Sequence, residues 1–126
     1  MVVQPPTVKR AVRVAEQVRE EIAAALSRDL SDPRLSHAIV TRVEMPDDLS
    51  VAKVMVRLGA GGEDGAARER VLAGFRAASG LMRKRLGKNL GLRRTPELRF
   101  IYDEGLDASD KVERLLQEIA RDRLNR

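Results

Sequence analysis

The chain has 126 residues, with 24 lysines and arginines against 19 aspartates and glutamates, so its formal net charge is +5. This length fits one domain, and a content of 43% apolar and 34% charged residues is typical of a globular chain rather than a disordered one. Cysteine is absent, which excludes disulfides, thiolate metal sites and a cysteine nucleophile, and one histidine, one tyrosine and no tryptophan argue against a rich catalytic site.

The N-terminal sequence predicts a cytoplasmic protein. Residues 1–6 (MVVQPP) are followed by basic residues, whereas a signal peptide would continue into an apolar segment. No apolar run approaches the roughly 20 residues that span a bilayer. We therefore expect no membrane association, and we expect residues 1–6 to be flexible.

The first predicted element is a helix over residues 8–29, where apolar residues recur at spacings of three and four. Thr7 is the candidate N-cap of this helix. Lys9, Arg10 and Arg13 lie near its start, where the helix dipole disfavours positive charge by a few tenths of a kcal/mol. These cations therefore point to a use other than helix stability.

A turn and two strands follow. Residues 31–34 (SDPR) predict the turn, because proline fixes φ and aspartate bonds the nearby backbone. Residues 38–45 and 51–58 are predicted strands, and the second alternates apolar and polar side chains. The short connection between them predicts an antiparallel hairpin.

Two helices separated by a bend are predicted over about residues 66–90, after a flexible loop at residues 59–65 that holds four glycines. The apolar stripe of this helix pair comprises Val71, Phe75, Ala78, Met82, Leu86 and Leu90. Residues 78–80 (ASG) interrupt the pattern, and glycine inside a helix costs roughly 1 kcal/mol relative to alanine. We expect Gly80 to adopt a backbone angle at this bend that is costly for other residues. Gly91 ends the pattern.

The last predicted elements are a third strand over residues 97–103 and a helix over residues 109–124, with Ser109 as the candidate N-cap. No repeat and no second domain is evident. The order helix, two strands, helix–bend–helix, strand, helix predicts an α+β fold. Its three-stranded sheet should carry the helices on one face and leave the other face partly wet.

Positive charge is concentrated in the second half of the chain. Residues 68–99 hold ten basic and two acidic residues, a local net charge of +8, and the rest of the chain carries −3. A field segregated in this way attracts polyanions such as nucleic acids.

A helical wheel places part of this charge on one side of the helix pair. The cations that lie away from the apolar stripe are Arg70, Arg76, Lys84 and Lys88. Ala73, Ala77 and Gly80 share that side, so a phosphate backbone could approach closely between the long cations. The alternative is a merely solvated helix face.

The element order resembles the K-homology RNA-binding fold in its second topology, type II, which usually grips RNA with a Gly-x-x-Gly loop. Residues 59–62 and 62–65 match that string, but they lie before the helix pair and are interpreted as linker glycines. Residues 78–80 (ASG) stand where the clamp would lie, so a helix–kink–helix takes the place of the Gly-x-x-Gly loop.

Five strings in order make the chain similar to the bacterial ribosome-binding factor A family, which has an Ala-x-Gly kink in place of Gly-x-x-Gly. The resemblance runs from about Val8 to Leu116. The strings are residues 13–17 (RVAEQ), 32–35 (DPRL), 48–54 (DLSVAKV), 78–83 (ASGLMR) and 92–100 (LRRTPELRF). Two departures are the long glycine-rich loop and a C-terminal helix where the family often has a loose tail.

The resemblance implies a non-enzymatic assembly factor without a cofactor or metal. It would bind the free or immature 30S ribosomal subunit and 16S rRNA, near the 5′ end of the rRNA and the decoding region. It would support late maturation and 16S rRNA 5′-end processing, act as a monomer and be released by a ribosome-assembly GTPase. The implied domain is a single K-homology-like unit over residues 1–126, with a C-terminal helix or tail at residues 104–126.

We expect RNA contacts from basic residues along the helices and loops and from the residues at the kink. The candidate RNA-binding residues are Arg10, Arg13, Arg76, Ser79, Gly80, Arg83, Lys84, Arg85, Lys88, Arg93 and Arg94. No residue is expected to be catalytic or to bind a metal.

Two other functions remain open. One is a protein-interaction module whose basic face binds an acidic partner, and the other is a small enzyme acting on RNA or a phosphorylated substrate. The spacing from Gly80 to Gly87 is too long for a P-loop. The acidic pairs at residues 47–48 and 103–104 lie at strand ends, where aspartate favours turns, and His37 stands alone.

Overall fold

The computed structural model describes residues 9–124, without the side chains of residues 106–114. In chain order the elements are α1 (Arg10–Arg28), a short 3₁₀ turn (Pro33–Leu35), β1 (Ala38–Glu44), β2 (Val51–Leu58), α2 (Gly65–Leu90), β3 (Glu97–Tyr102) and α3 (Gly105–Leu124). The three predicted strands and the first predicted helix are confirmed to within two residues at each end. Residues 1–6 and the candidate cap Thr7 lie outside the described residues, and Lys9 occupies the N-cap of α1 without a side-chain hydrogen bond.

The three strands form one sheet in the order β1-β2-β3. Strands β1 and β2 are antiparallel, which confirms the predicted hairpin, and a bulge interrupts their register between Val40 and Arg42. Strands β2 and β3 are parallel, with Val54 opposite Phe100. A parallel neighbour requires a crossover rather than a tight turn, and α2 supplies it.

Helices α1 and α2 cover one face of this sheet. Ile22 of α1 and Phe75 of α2 are almost completely buried against the inward-facing row of β2, which includes Val54. The ring of Phe75 stacks on the ring of Phe100 with 5.1 Å between their centroids. The opposite face exposes polar and charged side chains of all three strands, so the predicted α+β layering, with helices on one face of a three-stranded sheet, is confirmed.

The predicted break between two helices is wrong, because α2 is a single α-helix of 26 residues that passes through residues 78–80. Gly80 is helical, and its φ lies outside the left-handed region. The reason is packing on both sides of the glycine, where Phe75 and Met82 are buried in the same core. Burying one such side chain stabilises the fold by about 1.5–3 kcal/mol, more than the roughly 1 kcal/mol that one glycine costs a helix.

Helix α2 ends where the sequence predicts. Gly91 has φ of +59°, the left-handed conformation that terminates many helices and that glycine adopts without steric cost. At the other end, the Asp64 side chain accepts a hydrogen bond from the N–H of Ala66 and caps the helix. Both ends of this helix are therefore set by local sequence.

The prediction that α3 begins after Ser109 is wrong, because the helix begins at Gly105 and contains Ser109. The Asp103 carboxylate accepts a hydrogen bond of 3.0 Å from the N–H of Gly105, the first residue of the helix. Leu115 and Leu116 are more than half exposed, so this part of α3 stands away from the core. Over the described residues, none of the three helices combines the length and apolarity that crossing a bilayer requires.

Candidate nucleic-acid interface

The outward side of α2 carries a row of residues at intervals of four, which we call the α2 ridge: Arg76, Gly80, Lys84 and Lys88. All four residues are exposed. Residues four apart on a helix are neighbours on its surface, so the three cations lie in one line that spans about 18 Å at 1.5 Å per residue. Within residues 9–124, no acidic side chain pairs with any of these cations. Their charge is therefore available to an external anion.

Gly80 opens a gap in the middle of the α2 ridge. Beyond the adjacent residues and the backbone of its own helical turns, a Cβ atom built on Gly80 would meet no atom within 4 Å, so the fold itself does not require a glycine at this position. Ala77, beside it, is also small and exposed. The helix backbone between Arg76 and Lys84 is thus open to close approach by a partner. Ser79 lies off the ridge and is half-buried.

Arg83 points to the chain segment that precedes β3. Its Nε donates a hydrogen bond of 3.1 Å to the carbonyl of Pro96, and its second amino group donates one of 3.3 Å to the carbonyl of Thr95. The guanidinium therefore fixes the start of β3 against α2, although it was a candidate for RNA contact.

Arg85 lies between α1 and α2 and is mostly buried. Its Nε donates to Glu21 at 2.9 Å, and its amino group pairs with Asp29. Glu21 also accepts a hydrogen bond of 2.9 Å from Asn89. The hydrogen bonds from Asn89 and Arg85 lower the pKa of Glu21. Arg85 thus belongs to an ion-pair network that joins the two helices. Its guanidinium is therefore less available to RNA than the cations of the α2 ridge are.

Three further candidates come together at the end of α2, in a cleft of about 640 Å³ that we call the arginine cleft. Its lining residues are Arg10, Asp48, Leu49, Ser50, Gly91, Leu92, Arg93, Arg94 and Thr95. Arg10 comes from the start of α1, whereas Arg93 and Arg94 follow α2. Arg13 is exposed on α1 but does not line the cleft.

Leu49, Ser50 and Leu92 also line the arginine cleft, although the sequence did not predict them as site residues. Leu49 has φ of +59° and is the only non-glycine residue with positive φ among residues 9–124. No periodicity or composition signal marks a leucine for that conformation. The sequence signal for this cleft was the pair Arg93 and Arg94, which follows Gly91. Only the fold shows that this pair lies beside Arg10.

One aspartate of each acidic pair stabilises the local fold through hydrogen bonds. The described contacts assign no role to the side chain of His37. Asp48 accepts hydrogen bonds from the amide and hydroxyl of Ser50, which lower its pKa. Asp103 accepts a hydrogen bond of 2.6 Å from Thr41, and this bond lowers the pKa of Asp103. His37 is exposed. Over the part of the chain that the structure describes, no three His, Asp or Glu side chains converge as metal ligands would.

Comparison with known proteins gives one consistent match. A family model described as Ribosome-binding factor A matches residues 10–116, a segment that includes all of the α2 ridge and the arginine cleft. A curated protein named Ribosome-binding factor A from Sorangium cellulosum is 54% identical over 112 residues. That alignment covers 89% of this chain and 90% of the relative.

Structures of ribosome-binding factor A from another bacterium are also similar to this chain. The crystal structure of ribosome-binding factor A from Thermus thermophilus superposes with a TM-score of 0.63 and 25% identity, covering 73% of this chain and 93% of that one. A homology model of the Thermus thermophilus protein, fitted into a cryo-EM map of its complex with 30S, superposes with a TM-score of 0.58 and 26% identity. It covers 74% of this chain and 94% of that one.

Proposed function

Because the chain belongs to the ribosome-binding factor A family, we propose that it is an assembly factor that binds the small ribosomal subunit through the RNA of that subunit. The observation that carries this proposal is the α2 ridge. It offers Arg76, Lys84 and Lys88, which have no acidic partner among the described residues, and an open helix backbone at Gly80. The related protein fitted into a 30S complex supports the choice of partner.

The α2 ridge contacts mainly the phosphate groups of the RNA. All three aromatic side chains of the chain serve the fold: Phe75 and Phe100 are buried, and the ring of Tyr102 lies beneath the guanidinium of Arg68 at 4.4 Å. No aromatic platform therefore remains on which unpaired bases could stack in series. Affinity then comes from phosphate contacts and depends on salt, whereas specificity comes from the shape of the RNA and its ribosomal setting.

The finer parts of the proposal follow the family. The chain is a single K-homology-like domain of type II, in which α2 takes the position of the RNA-contacting helix pair. It binds the free or immature 30S subunit on 16S rRNA, near the rRNA 5′ end and the decoding region, and supports late maturation and 5′-end processing. It works as a monomer in the cytoplasm, is released by a ribosome-assembly GTPase and catalyses no reaction itself.

Sedimentation of cell lysate through a sucrose gradient tests this function. The protein is expected in the fractions that hold free and immature 30S subunits, and it should leave them when the salt concentration is raised. Presence in the 70S fractions alone would contradict an assembly role. If the protein stays in a light fraction with an acidic protein and no RNA, the protein-interaction alternative is correct and the proposal is wrong.

A further inference from the structure

The arginine cleft gathers the positive charge of three arginines. Arg10, Arg93 and Arg94 are exposed, and none of them pairs with a carboxylate among residues 9–124. Asp48 is the one acidic residue of the wall, and its carboxylate already accepts two hydrogen bonds from Ser50. Three like charges on one cleft repel one another, so a bound anion lowers their energy. Guanidinium groups also bind phosphate with two parallel hydrogen bonds.

Two leucines give the wall an apolar part that is held in a fixed shape. Leu49 and Leu92 line the cleft and are half-buried against the core. The left-handed backbone of Leu49 costs about 1–2 kcal/mol, and the bond of 3.0 Å from its N–H to the carbonyl of Pro46 helps to hold that turn. Strain of this size, kept at a cleft wall, is a common mark of a binding site. A ligand that suits this wall has an apolar face beside its negative charge.

The size and position of the cleft restrict the ligand further. Its volume of about 640 Å³ lies within the range of about 300–1,000 Å³ for small-molecule sites, which is ample for one nucleotide. Lys88, the last cation of the α2 ridge, precedes Gly91 of the cleft wall by three residues, less than one helical turn. A strand whose phosphates follow the ridge therefore reaches the cleft without leaving the protein surface.

We propose that the arginine cleft binds one unpaired nucleotide of a single-stranded RNA segment that continues from the α2 ridge. The phosphates of this nucleotide contact Arg10, Arg93 and Arg94, and its base lies against Leu49 and Leu92. Because the described wall of the cleft contains no aromatic residue, the base also stacks on a guanidinium plane, as unpaired bases do in other RNA complexes. This inference rests on the proposed function, and it adds to it a second contact that accepts only single-stranded RNA.

Binding of a short fluorescein-labelled oligouridylate to the full-length protein tests the cleft. The variant Arg93→Gln with Arg94→Gln should lose at least about tenfold in affinity, because two charge-assisted phosphate contacts are removed. The variant Arg42→Gln with Arg99→Gln removes the same charge from exposed residues outside the cleft and the ridge, and it should stay within about twofold of wild type. Ser50→Leu fills the cleft without changing its charge and should also weaken binding, while thermal melting shows that each variant is folded.

The outcomes separate the cleft from the proposed function. Equal losses of affinity in the Arg93/Arg94 and Arg42/Arg99 variants would overturn the proposal that the cleft binds a nucleotide. Binding would then depend only on the overall positive charge of the protein. Uridine monophosphate that competes as strongly as the oligonucleotide would also overturn it, in favour of a free-nucleotide site. A wild-type protein that sediments with 30S subunits but does not bind the oligonucleotide refutes the cleft alone. A protein that binds neither refutes the proposed function as well.

Discussion

Two glycines of α2 that look alike in sequence have opposite structural roles. A Cβ atom on Gly74 would lie 3.0 Å from Cδ2 of Leu35 and 3.2 Å from Cβ of Arg34, so this glycine lets α2 pack against the turn at Pro33–Leu35. A Cβ atom on Gly80 would face open space. Helical periodicity cannot separate these cases, because the contact at Gly74 is made by residues about forty positions earlier in the chain.

Gly80→Ala is expected to raise stability and weaken binding. Alanine is the better helix former, and at an open helical position the change should raise the free energy of unfolding by up to about 1 kcal/mol. The added methyl group should hold RNA away from the backbone and reduce affinity for 30S subunits. Thermal melting and subunit binding measure the two effects separately.

Gly74→Ala is the matched control for that prediction. The same chemical change at the buried glycine should lower the free energy of unfolding by about 1–3 kcal/mol, as overpacking does. A lower melting temperature for Gly80→Ala would restore the conformational role that the sequence predicted. Unchanged 30S affinity in Gly80→Ala would argue that RNA does not approach this part of α2.

The residue pair Lys84 and Arg85 shows how far local sequence can predict a site. The helical wheel separates Lys84, which lies opposite the apolar stripe, from the core side of α2. It cannot show that Arg85 meets Glu21 and Asp29, because those partners are 64 and 56 residues away in the chain. Both cations were candidates for RNA contact, and only the fold divides them into an exposed cation of the α2 ridge and a link between helices.

At the scale of elements, the network around Arg85 joins α1 to α2, which predicts that neighbouring substitutions have different effects. Arg85→Gln should lower the free energy of unfolding by about 1–2 kcal/mol, because it leaves Glu21 and Asp29 without their cation. Lys84→Gln should leave stability unchanged and weaken 30S binding. Chemical denaturation measures the stability of both variants, and a binding assay measures their affinity for 30S subunits. A Lys84→Gln protein that unfolds more easily but binds 30S subunits normally would show that Lys84 has the structural role.

The elements themselves were predictable to different degrees. The strands were found to within one residue because alternation and turn residues are local signals, as in β2, where Ala52, Val54 and Val56 all face the core. The continuity of α2 was missed because it depends on the burial of Phe75 and Met82 in one core, a tertiary effect that overrides the preference of one glycine. The start of α3 was missed because the bond from Gly105 to Asp103 has no periodic signature.

At the scale of the whole molecule, the fold divides the basic residues at 68–94 into two groups, whereas Arg99 lies on β3 and pairs with Glu97. Arg68, Arg83 and Arg85 hold other parts of the chain, since Arg68 pairs with Glu104 and the other two brace the start of β3 and α1. The remaining cations of α2 and the loop after it face outward. Composition predicted the polyanion partner, but only the structure shows which charges are free to meet it.

The central claim is that the α2 ridge binds the RNA of the small subunit, and the salt dependence of binding to purified 30S subunits tests it most directly. Arg76→Glu with Lys84→Glu should lower affinity by at least about tenfold and make the slope of log K against log salt shallower, since at least two phosphate contacts are lost. The control variant Arg42→Glu with Arg99→Glu reverses two charges outside the α2 ridge. Its affinity for 30S subunits should stay closer to that of wild type. A doubly reversed ridge that binds as tightly as wild type at low salt, with an unchanged slope, would contradict the account.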